Sequence, residues 1–404
     1  MQISPTTSDS ALSSARPGGG TRQIIGFVYF SFVTYVSIGL PLAVLPPYVH
    51  LRLGFTVLLA GLAVSVQYVA TLASRPWTGR ICDRHGAKVA VLWGMGISTV
   101  SGAVLIAAAL LHTIPWISLS VLVLSRLLLG IGESLNATGS MLWAILKVGP
   151  SSTAKVMTFN GIAIFGGIAI GAPIGVALDQ QWGLISIGAV TMLIFGLSLI
   201  VACRKSKVAV LHGEHLPFAH LLGRIAPHGM SLALAGIGYS VLATFVALYF
   251  ASRHWNSAAL CLTVFGATFI LTRLLFIHAI DRYGGFQVAM ASLAVESLAM
   301  IILWRASTSW MAFAGAALTG CGFSLVFPAL GVEAVKRVPL HNRGAVIGIF
   351  TAFADISFFL TGPLAGAIIG AYGYSSVFLF ALACALAAMA IVLVLRQMLR
   401  ASEK

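Results

Sequence analysis

A few ionisable side chains interrupt the long apolar runs of this chain, and they are the residues able to carry chemistry. Asp355 lies about 11 residues into one run, hence roughly 16 Å from its end if that run is helical. Arg126 and Glu133 stand in another run, seven residues apart, so they project from nearly one face of a helix. A charge in such a run costs a few kcal/mol unless it is paired, hydrated or neutralised. Each is therefore a candidate proton carrier or ligand.

Three uncharged side chains add polar groups to the same runs. Gln67 lies about 12 residues before Gly79 and so reaches a depth similar to that of Asp355. Asn160 and Tyr35 can also contribute polar contacts, although packing between helices is the better interpretation for both.

The composition defines the surroundings of these side chains. Of 404 residues, 59% are hydrophobic and 8% are charged, which is incompatible with an ordinary water-soluble surface. A helix needs roughly 20 apolar residues to cross about 30 Å of hydrocarbon, and most runs are that long. The strands of a membrane barrel would alternate apolar with polar residues, and these runs do not alternate. We predict an all-α membrane protein whose twelve transmembrane helices lie near 24 to 48, 55 to 79, 88 to 111, 116 to 141, 155 to 179, 183 to 203, 225 to 251, 257 to 280, 286 to 304, 309 to 333, 344 to 370 and 374 to 397.

The basic residues indicate orientation rather than a nucleic-acid partner. The chain has 24 Lys and Arg residues and a formal net charge of +14. If both termini are cytoplasmic, eighteen of these residues fall in cytoplasmic segments and only Arg52, Arg253 and Arg305 fall outside. This bias predicts a multi-pass protein with both termini in the cytoplasm, and it removes the reason to expect nucleic-acid binding.

Polar segments divide the chain into two helical halves. Residues 1–22 are rich in Ser, Gly and Pro and lack an apolar core, which predicts a mobile cytoplasmic tail rather than a signal peptide. The longest internal hydrophilic stretch, 204–224, is the expected cytoplasmic linker. It separates an N-terminal bundle of six helices at 23–203 from a C-terminal bundle at 225–404.

No metal site or cofactor is expected. The linker contains a group whose spacing resembles that of zinc ligands, namely His212, Glu214, His215 and His220. A solvated loop is the better interpretation, because nothing nearby supplies a rigid frame. The five cysteines have no paired spacing, which predicts neither disulfides nor a metal site.

A short phrase occurs twice, each time where an apolar run ends. Four of its residues recur 198 positions later: Arg75 as Arg273, Asp83 as Asp281, Arg84 as Arg282 and Gly86 as Gly284. A second set recurs 190 positions later: Gly130, Gly132, Ser134 and Pro173 as Gly320, Gly322, Ser324 and Pro363. We infer two copies of one six-helix unit, related by an axis along the membrane normal, with eight residues lost between the second and fourth helices of the second copy.

The first phrase resembles the signature loop between helices two and three of the major facilitator superfamily of secondary transporters. The matching residues are Gly79, Asp83, Arg84, Gly86 and Lys88. Chance would give such a match on the order of 10⁻⁴ times per chain. The second copy has Ile277 where the pattern has Gly, so the two loops need not be equivalent. The resemblance implies the major facilitator fold, with two six-helix bundles.

Other segments extend this resemblance over the whole chain. Arg126-x-x-x-Gly130-x-Gly132 is similar to the arginine-bearing motif of helix four in the family. The glycines around Pro173 only partly resemble the signature of the antiporter branch, because Ala172 separates Gly171 from that proline. Gly-Pro-Leu-Ala-Gly at 362–366 is typical of bacterial permeases described as sugar-efflux-like.

The family's helix arrangement implies positions for the buried polar residues. It makes helices two and eleven neighbours, so that Asp355 and Gln67 are expected to hydrogen-bond between the bundles. It turns the face of Arg126 and Glu133 towards a central cavity, where Arg126 would hold an anionic substrate or set the proton affinity of an acid. The alternative is a buried pair without a transport role. Glu296 has no evident partner in this arrangement.

The phrase residues have the chemistry of a gate. Gly79 would let helices approach closely, Gly86 would permit the turn, and Asp83 can accept backbone hydrogen bonds at the positive end of a helix. Arg84 and Lys88 can pair with acidic groups or lipid phosphates. We predict a cytoplasmic gate, with Arg75 and Arg273 as its support and Asp281, Arg282 and Gly284 as its second copy. The alternative is a basic loop that only fixes orientation.

Together, these expectations predict a secondary active transporter of the bacterial inner membrane. It would move a small organic solute by rocking one bundle against the other, with Asp355, Arg126, Gln67, Glu133 and Asn160 on the pathway of substrate or protons. Protons are the expected coupling ion, because the chain has a mid-membrane acid and no ATP-binding loop. Efflux is the first interpretation, and proton-coupled uptake is the alternative.

Two other classes of protein are less consistent with the sequence. A membrane enzyme would need a clustered nucleophile, base or metal set, and no such spacing occurs. A membrane sensor would usually carry a sizeable soluble domain, whereas only the tail and the linker lie outside the helices. We expect a monomer in the lipid bilayer, and the sequence does not specify its substrate.

The difference between the two phrases gives a prediction. Asp83→Asn should impair transport more than Asp281→Asn, because only the first copy has the complete pattern. Initial rates in proteoliposomes, compared with the unaltered protein, measure the effect. Equal tolerance of both substitutions would count against the gate.

Overall fold

The protein is helical throughout the part that the structure describes, which is residues 20–149, 153–208, 218–276, 278–336 and 343–402. This computed structural model contains twelve long helices in those residues: α1 (Gly20–Leu42), α2 (Val57–His85), α3 (Ala87–Leu110), α4 (Pro115–Val148), α5 (Thr153–Trp182), α6 (Leu184–Arg204), α7 (Phe218–Ser252), α8 (Ala259–Leu275), α9 (Gly285–Arg305), α10 (Ser309–Lys336), α11 (Arg343–Tyr372) and α12 (Ser376–Ser402). Eleven spans are long and apolar enough to cross a membrane, and α8 is a shorter apolar helix. The all-α, twelve-helix prediction is confirmed.

The surface of the helices is apolar where that of a soluble protein would be polar. Leu193, Leu197 and Ile200 on α6 are 60%, 53% and 52% exposed. Polar side chains such as Gln67 and Glu133 are buried instead. A bilayer accepts this distribution, because lipid surrounds the apolar side chains while helices satisfy the backbone internally.

The first predicted run ends in two short pieces rather than in one continuous helix. After α1 the chain forms a short helix, Leu45–Pro47, and a π-helical turn, Tyr48–Arg52. Pro46 and Pro47 lie in the first turn of the short helix, where a missing N–H breaks no intrahelical hydrogen bond. The short helix also contacts α7 and so helps to join the two bundles.

The duplicated phrase forms the same turn in both copies. Gly86 has φ 90° and ψ 157°, and Gly284 has φ 82° and ψ 152°. Each N–H donates back to the preceding helix, Gly86 to Cys82 O at 3.0 Å and Gly284 to Ile280 O at 2.9 Å. Only glycine adopts this backbone region readily, so these are the turns that the sequence led us to expect. We call the side of the protein that carries them the turn side.

Helix packing repeats with the two offsets seen in the sequence. Gly130 on α4 lies against the backbone of Gln67 on α2, and Gly320 on α10 lies against the backbone of Phe265 on α8. Gly130 and Gly320 are 190 residues apart, whereas Gln67 and Phe265 are 198 apart. Both offsets therefore describe one packing arrangement, present once in each bundle.

The change of offset has a structural cause in the hairpin of the third and fourth helices. By the offset of 198, α9 ends three residues before the equivalent of the end of α3; by the offset of 190, α10 begins four residues after the equivalent of the start of α4. The second hairpin is therefore shorter on the side opposite the turn side. Because the shortening falls at the hairpin end, it leaves the buried contacts of the helices unchanged.

Two helix pairs join the bundles. Helix α2 packs on α11, with Gly61 directly against the backbone of Gly362. Helix α5 packs on α8, where Thr263 Oγ1 donates to Ala169 O at 2.8 Å. We call these contacts the α2/α11 seam and the α5/α8 seam. Any movement of one bundle against the other must change both.

The polar ends of the predicted bundles are only partly described. Helix α1 begins at Gly20, inside the expected tail 1–22, and the rest of that tail lies outside the described residues. Helix α7 begins at Phe218, so the C-terminal bundle takes up part of the expected linker 204–224. Residues 209–217, with His212, Glu214 and His215, lie outside the described residues, as does the side chain of His220.

The shared turn gives a prediction about stability. Gly86→Ala and Gly284→Ala should each lower the free energy of unfolding by about 1–3 kcal/mol, because alanine is strained in this backbone region. Unfolding in mixed detergent micelles with increasing SDS measures the change. Gly196→Ala is the matched control, since Gly196 lies inside α6 with open space beside it. A Gly86→Ala protein as stable as the control would contradict the assigned turn.

Candidate functional site

The centre of the N-terminal bundle holds three of the predicted site residues in one hydrogen-bonded chain. The amide of Gln67 on α2 stands between Arg126 and Glu133 on α4. Its Nε2 donates to Glu133 Oε2 at 2.7 Å, and Arg126 Nη2 donates to its Oε1. All three side chains are almost fully buried. One amide thus bridges two opposite charges that cannot be left unpaired in a low-dielectric interior.

Thr71 completes this group, although nothing in the sequence analysis singled it out. Its hydroxyl donates to Glu133 Oε2 at 3.1 Å. Thr71 stands four residues after Gln67, one helical turn along the same face of α2, and that spacing was the available signal. We call Gln67, Thr71, Arg126 and Glu133 the polar cluster.

Asp355 pairs with a residue other than the expected one. Arg75 Nε on α2 donates to Asp355 Oδ2 on α11, and the two side chains are 22% and 7% exposed. The expected hydrogen bond between Asp355 and Gln67 is absent from the described contacts. Arg75, expected as gate support, instead forms an ion pair across the α2/α11 seam.

The direction of the side chains on α2 explains this correction. Gly61 faces Gly362 on α11, and Tyr68, on the same stripe, packs on Phe358 of α11 with ring centroids 5.1 Å apart. Arg75 continues that stripe two helical turns beyond Tyr68. Gln67 lies on the neighbouring stripe, which faces α4. The sequence predicted only its depth, and depth does not determine the direction of a side chain.

Two tyrosines border the ion pair and the polar cluster. Tyr35 on α1 is within electrostatic range of Glu133, Asp355 and Arg75. Tyr68 is within range of Arg126 as well as of both acids. Both rings are partly exposed, so they line accessible space. Tyr35 therefore lies at the site, beyond the packing role that the sequence favoured.

Aromatic rings from both bundles gather at the α5/α8 seam, where the α2/α11 seam has polar groups. Phe165 on α5 packs on Phe269 of α8 with ring centroids 3.9 Å apart. Tyr239 on α7 stacks on Phe265 at 4.7 Å and on Phe323 at 5.9 Å. We call these five residues the aromatic cluster. In the sequence they look like ordinary core residues.

The repeat relates three members of the polar cluster, together with Asp355, to four members of the aromatic cluster. Four polar positions and their equivalents, by the offsets of 198 and 190, are Gln67 and Phe265, Thr71 and Phe269, Glu133 and Phe323, and Asp355 and Phe165. Every hydrogen-bonding side chain of this set is replaced by phenylalanine at the equivalent position. Comparison of the two copies by offset would have found the aromatic cluster in the sequence.

Arg273 differs from Arg75, its equivalent in the first copy. Its Nη2 donates to Ser324 O at 2.8 Å, and its guanidinium lies over the ring of Phe269 at 4.9 Å. The guanidinium occupies the space beside Gly161 of α5, so it reaches across the α5/α8 seam. Among the described residues no acidic group pairs with it. Asn160, next to Gly161, is buried, and its Oδ1 has no hydrogen-bond partner among those residues.

The predicted gate residues do not form a charged cluster in the described contacts. Lys88 donates to Cys203 O at 2.8 Å and to Lys205 O at 2.6 Å, so it caps the end of α6 instead of pairing with an acid. Gly79 has open space beside it among the described residues, which does not match the expected close approach of helices. Arg84 is exposed, and the side chain of Asp83 lies outside the description.

The second copy of the phrase is likewise open to solvent. Asp281 and Arg282 are exposed, and Arg282 lies over the ring of Tyr283 at 5.3 Å. Ile277 lies outside the described residues. On the same side Lys205 lies over Phe27 at 4.6 Å, and partial burial lowers the pKa of this lysine. The gate therefore remains a prediction.

Glu296 on α9 is fully buried away from these clusters. It packs beside Gly238 of α7 and Gly322 of α10, and neither carboxylate oxygen has a hydrogen-bond partner in the described part of the chain. Ser98 on α3 is its equivalent by the offset of 198 and packs on Gly132 in the same way. Glu296 thus stands at a position where the first copy has a small packing residue, Ser98.

The described residues contain no group of three or more His, Cys, Asp or Glu side chains placed to hold a metal ion. The central charged groups are instead the acids Glu133 and Asp355 and three arginines. Arg75 and Arg126 have the partners described above, whereas Arg273 has no acidic partner among the described residues. They lie between two helical bundles within membrane-spanning helices, an arrangement suited to binding and releasing a solute or a proton.

The fold and this central site define a membrane transport protein. A family model described as Major Facilitator Superfamily matches residues 27–221 and 229–403. The chain belongs to that superfamily, as the first phrase indicated, and it is a transporter rather than an enzyme.

Relatives and solved structures agree with this assignment. MFS-type transporters from Burkholderia mallei and Burkholderia pseudomallei are 47% identical over 395 residues, which is 98% of this chain and 97% of theirs. One from Pseudomonas aeruginosa is 48% identical over 397 residues, covering 98% of both chains. A mutant of the nucleoside transporter NupG and the human organic anion transporter MFSD10 superpose with TM-scores of 0.75 and 0.70. Each has 16% identity and covers 92% of this chain and 99% of its own. At that identity the structures share the fold alone.

The ion pair between α2 and α11 gives a prediction. Arg75→Gln and Asp355→Asn should each destabilise the protein, because each leaves a mostly buried charge without its partner. The double variant should be more stable than the sum of the two losses, with a coupling free energy of about 1–3 kcal/mol. Unfolding by SDS in mixed micelles measures the double-mutant cycle.

A second ion pair supplies the control. Lys336 Nζ donates to Glu333 Oε1 at 2.9 Å within α10, and the lysine side chain is 60% exposed. The cycle of Lys336→Gln and Glu333→Gln should give a coupling of about 1 kcal/mol or less, because solvent screens this pair. Equal coupling in both cycles would show that Arg75 and Asp355 do not interact as a buried pair.

Proposed function

We propose that this protein is a proton-coupled secondary transporter that exports a small organic solute across the bacterial inner membrane. The observation that carries the proposal is the ion pair of Arg75 and Asp355. It is mostly buried, and it joins α2 of one bundle to α11 of the other, two helices that must separate during transport. An ion pair in that position links the protonation of one acid to the movement of both bundles.

The coupling follows from charge. With Asp355 ionised, the pair attracts α2 to α11 and closes the α2/α11 seam. A proton on Asp355 removes the negative charge, so the attraction is lost and Arg75 is released towards the cavity. Arg75 is 22% exposed, which gives water and protons access to the pair. Proton binding and seam closure therefore oppose each other, as alternating access requires.

The polar cluster supplies a second proton-sensitive group in the same space. Glu133 accepts hydrogen bonds from Gln67 and Thr71, and it lies within electrostatic range of Asp355. A proton gained by Glu133 would leave Arg126 without its counter-charge and strengthen the attraction of Arg126 for an anionic group, which is the behaviour expected of the alternative, proton-coupled uptake. Gln67 and Arg126 thus act as substrate contacts whose strength depends on protonation.

Exchange of proton and solute at a single site favours export. If protonation and solute binding are alternative ways of breaking the Arg75–Asp355 pair, proton and solute occupy the centre in turn and cross the membrane in opposite directions. In the alternative, proton-coupled uptake, both occupy the centre together. The two directions differ in the sign of their response to a pH gradient.

The setting of the transporter rests on sequence and relatives. The excess of Lys and Arg on the turn side supports a cytoplasmic location for that side and for both termini. The relatives of 47–48% identity are bacterial, which supports the inner membrane. The names of NupG and MFSD10, a nucleoside and an organic anion transporter, support a small organic solute as cargo. Buried contacts within one chain account for the fold, so we propose a monomer.

A transport measurement tests the proposal. Purified protein is first screened by thermal shift against sugars, organic acids, phosphonates and cationic drugs, because a ligand of the folded state raises the apparent Tm. Transport of the stabilising solute is then followed in proteoliposomes with an imposed pH gradient. Solute should move against the direction of proton flow, and Asp355→Asn should abolish the response to the gradient while solute counterflow persists.

Glu296→Gln is the matched control, since Glu296 is a buried acid away from the seams and should leave the response intact. Asp355→Asn protein with an unchanged response would refute the proton-carrier role. Solute moving together with protons would establish uptake instead of efflux. Failure of every solute to show counterflow would favour a sensor over a transporter.

A further inference from the structure

Arg273 is equivalent to Arg75 by the repeat, but the position equivalent to the counter-ion of Arg75 holds an uncharged residue. Arg75 in the first copy pairs with Asp355, and the residue equivalent to Asp355 by the offset of 190 is Phe165. Phe165 packs on Phe269, the ring over which the Arg273 guanidinium lies. The α5/α8 seam therefore keeps the arginine of the α2/α11 seam but has an aromatic ring in place of its acid.

Among the described residues, the charged groups of the centre leave one positive charge without a counter-charge. Arg75 is neutralised by Asp355, and Arg126 is linked to Glu133 through Gln67. Arg273 has no acidic partner among the described residues. A positive charge inside a membrane-spanning bundle is costly unless an anion or water compensates it.

The surroundings of Arg273 leave hydrogen-bond donors available. A guanidinium has five N–H donors, and the described contacts use Nη2 for Ser324 O. Nε has no partner there but is buried, so a solute would meet the Nη groups rather than Nε. Gly161 has no side chain, and the guanidinium occupies the space that one would fill. Arg273 is partly exposed, so a solute in the cavity can reach it. Arginine offers paired donors that match the two oxygens of a carboxylate or sulfonate.

The aromatic cluster defines the rest of the ligand. Phe165 is the partly exposed member of the cluster, whereas Phe265, Phe269 and Phe323 are buried behind it. An exposed ring backed by a rigid aromatic packing favours a flat apolar group stacked on it. A cationic solute would be repelled by Arg273, and a neutral polar solute could accept its hydrogen bonds but would not offset its charge.

We infer that Arg273 and the aromatic cluster bind the transported solute, and that this solute is an organic anion with a planar apolar body. Its carboxylate or sulfonate is held by Arg273, and its ring stacks on Phe165. The inference rests on the proposed transport function and names its substrate class. It also agrees with export, because the inside-negative potential of a bacterial membrane drives anions outwards.

Binding of chemically matched probes tests the substrate class. The planar anions are naphthalene-2-sulfonate, 2-naphthoate and indole-3-acetate. Naphthalene-2-carboxamide lacks the charge, 2-naphthylmethylammonium reverses it, and methanesulfonate lacks the ring. Titration calorimetry on the full-length protein in detergent should detect binding of at least one planar anion and weaker or no binding of the other three probes. Binding of the ammonium probe in preference to all planar anions would overturn the inference, as would failure of all three anions to bind.

Substitutions then test the two contacts. Arg273→Gln should weaken binding of the planar anion about tenfold or more, because a charge-assisted hydrogen bond is lost. Phe165→Asp should abolish it, because the new carboxylate restores the missing counter-ion of Arg273. Phe165→Asn removes the ring without adding charge and should weaken binding only about two- to tenfold. Arg305→Gln, at the exposed end of α9, is the control and should bind normally.

Each variant is checked for an unchanged elution volume before titration. If Phe165→Asp fails to fold, the comparison of Arg273→Gln with Arg273→Lys still decides, since lysine keeps the charge and should retain part of the affinity. Equal binding by Phe165→Asp and Phe165→Asn would overturn the counter-ion argument. These outcomes are separate from those of the proposed function, because proton coupling is measured with whichever solute is transported and does not depend on its charge.

Discussion

The structure depends on how charge is compensated where water is scarce. An ionised side chain loses its hydration inside a helical bundle, and only a close partner of opposite charge or several hydrogen bonds can offset that loss. The polar cluster uses one amide, that of Gln67, to serve an arginine and a glutamate at the same time. The Arg75–Asp355 pair achieves compensation only when two bundles are in contact. The first arrangement is internal to a bundle, whereas the second depends on the relative position of the bundles.

Duplication explains why both seams have the same geometry, and divergence explains why they differ in chemistry. The turns at Gly86 and Gly284 are retained because their positive φ favours glycine. The packing of Gly130 and Gly320 is retained because the facing backbone admits no larger residue. The side chains that point into the central space are free of that constraint. The α2/α11 seam is therefore held by a polar contact that requires a defined geometry. The α5/α8 seam is aromatic and is held by packing, which tolerates small shifts better than a hydrogen bond does.

The sequence predicted those features that depend on periodicity and on the solvent. Apolar runs of membrane length located twelve helices, and the spacing of the repeated phrase located the two glycine turns. The depth of Asp355 and Gln67 was also accessible, since a helix rises by a fixed distance per residue. Direction around the helix was not, because the 29 residues of α2 carry several stripes that face different neighbours. Arg75 was consequently taken as support for a gate, although its stripe faces α11.

The aromatic cluster was missed for a different physical reason. A phenylalanine in a membrane helix is equally consistent with packing, with lipid contact and with a binding surface, so its identity alone carries no information about function. Its meaning comes from comparison, because Phe165 stands where the other copy has the acid that neutralises an arginine. A buried arginine tolerates the loss of its acid only if something else offsets the charge. For Arg273 the ring of Phe269 and the carbonyl of Ser324 offset part of it, and the remaining donors are left for a group that enters and leaves. That incomplete compensation is what distinguishes a binding site from a structural pair.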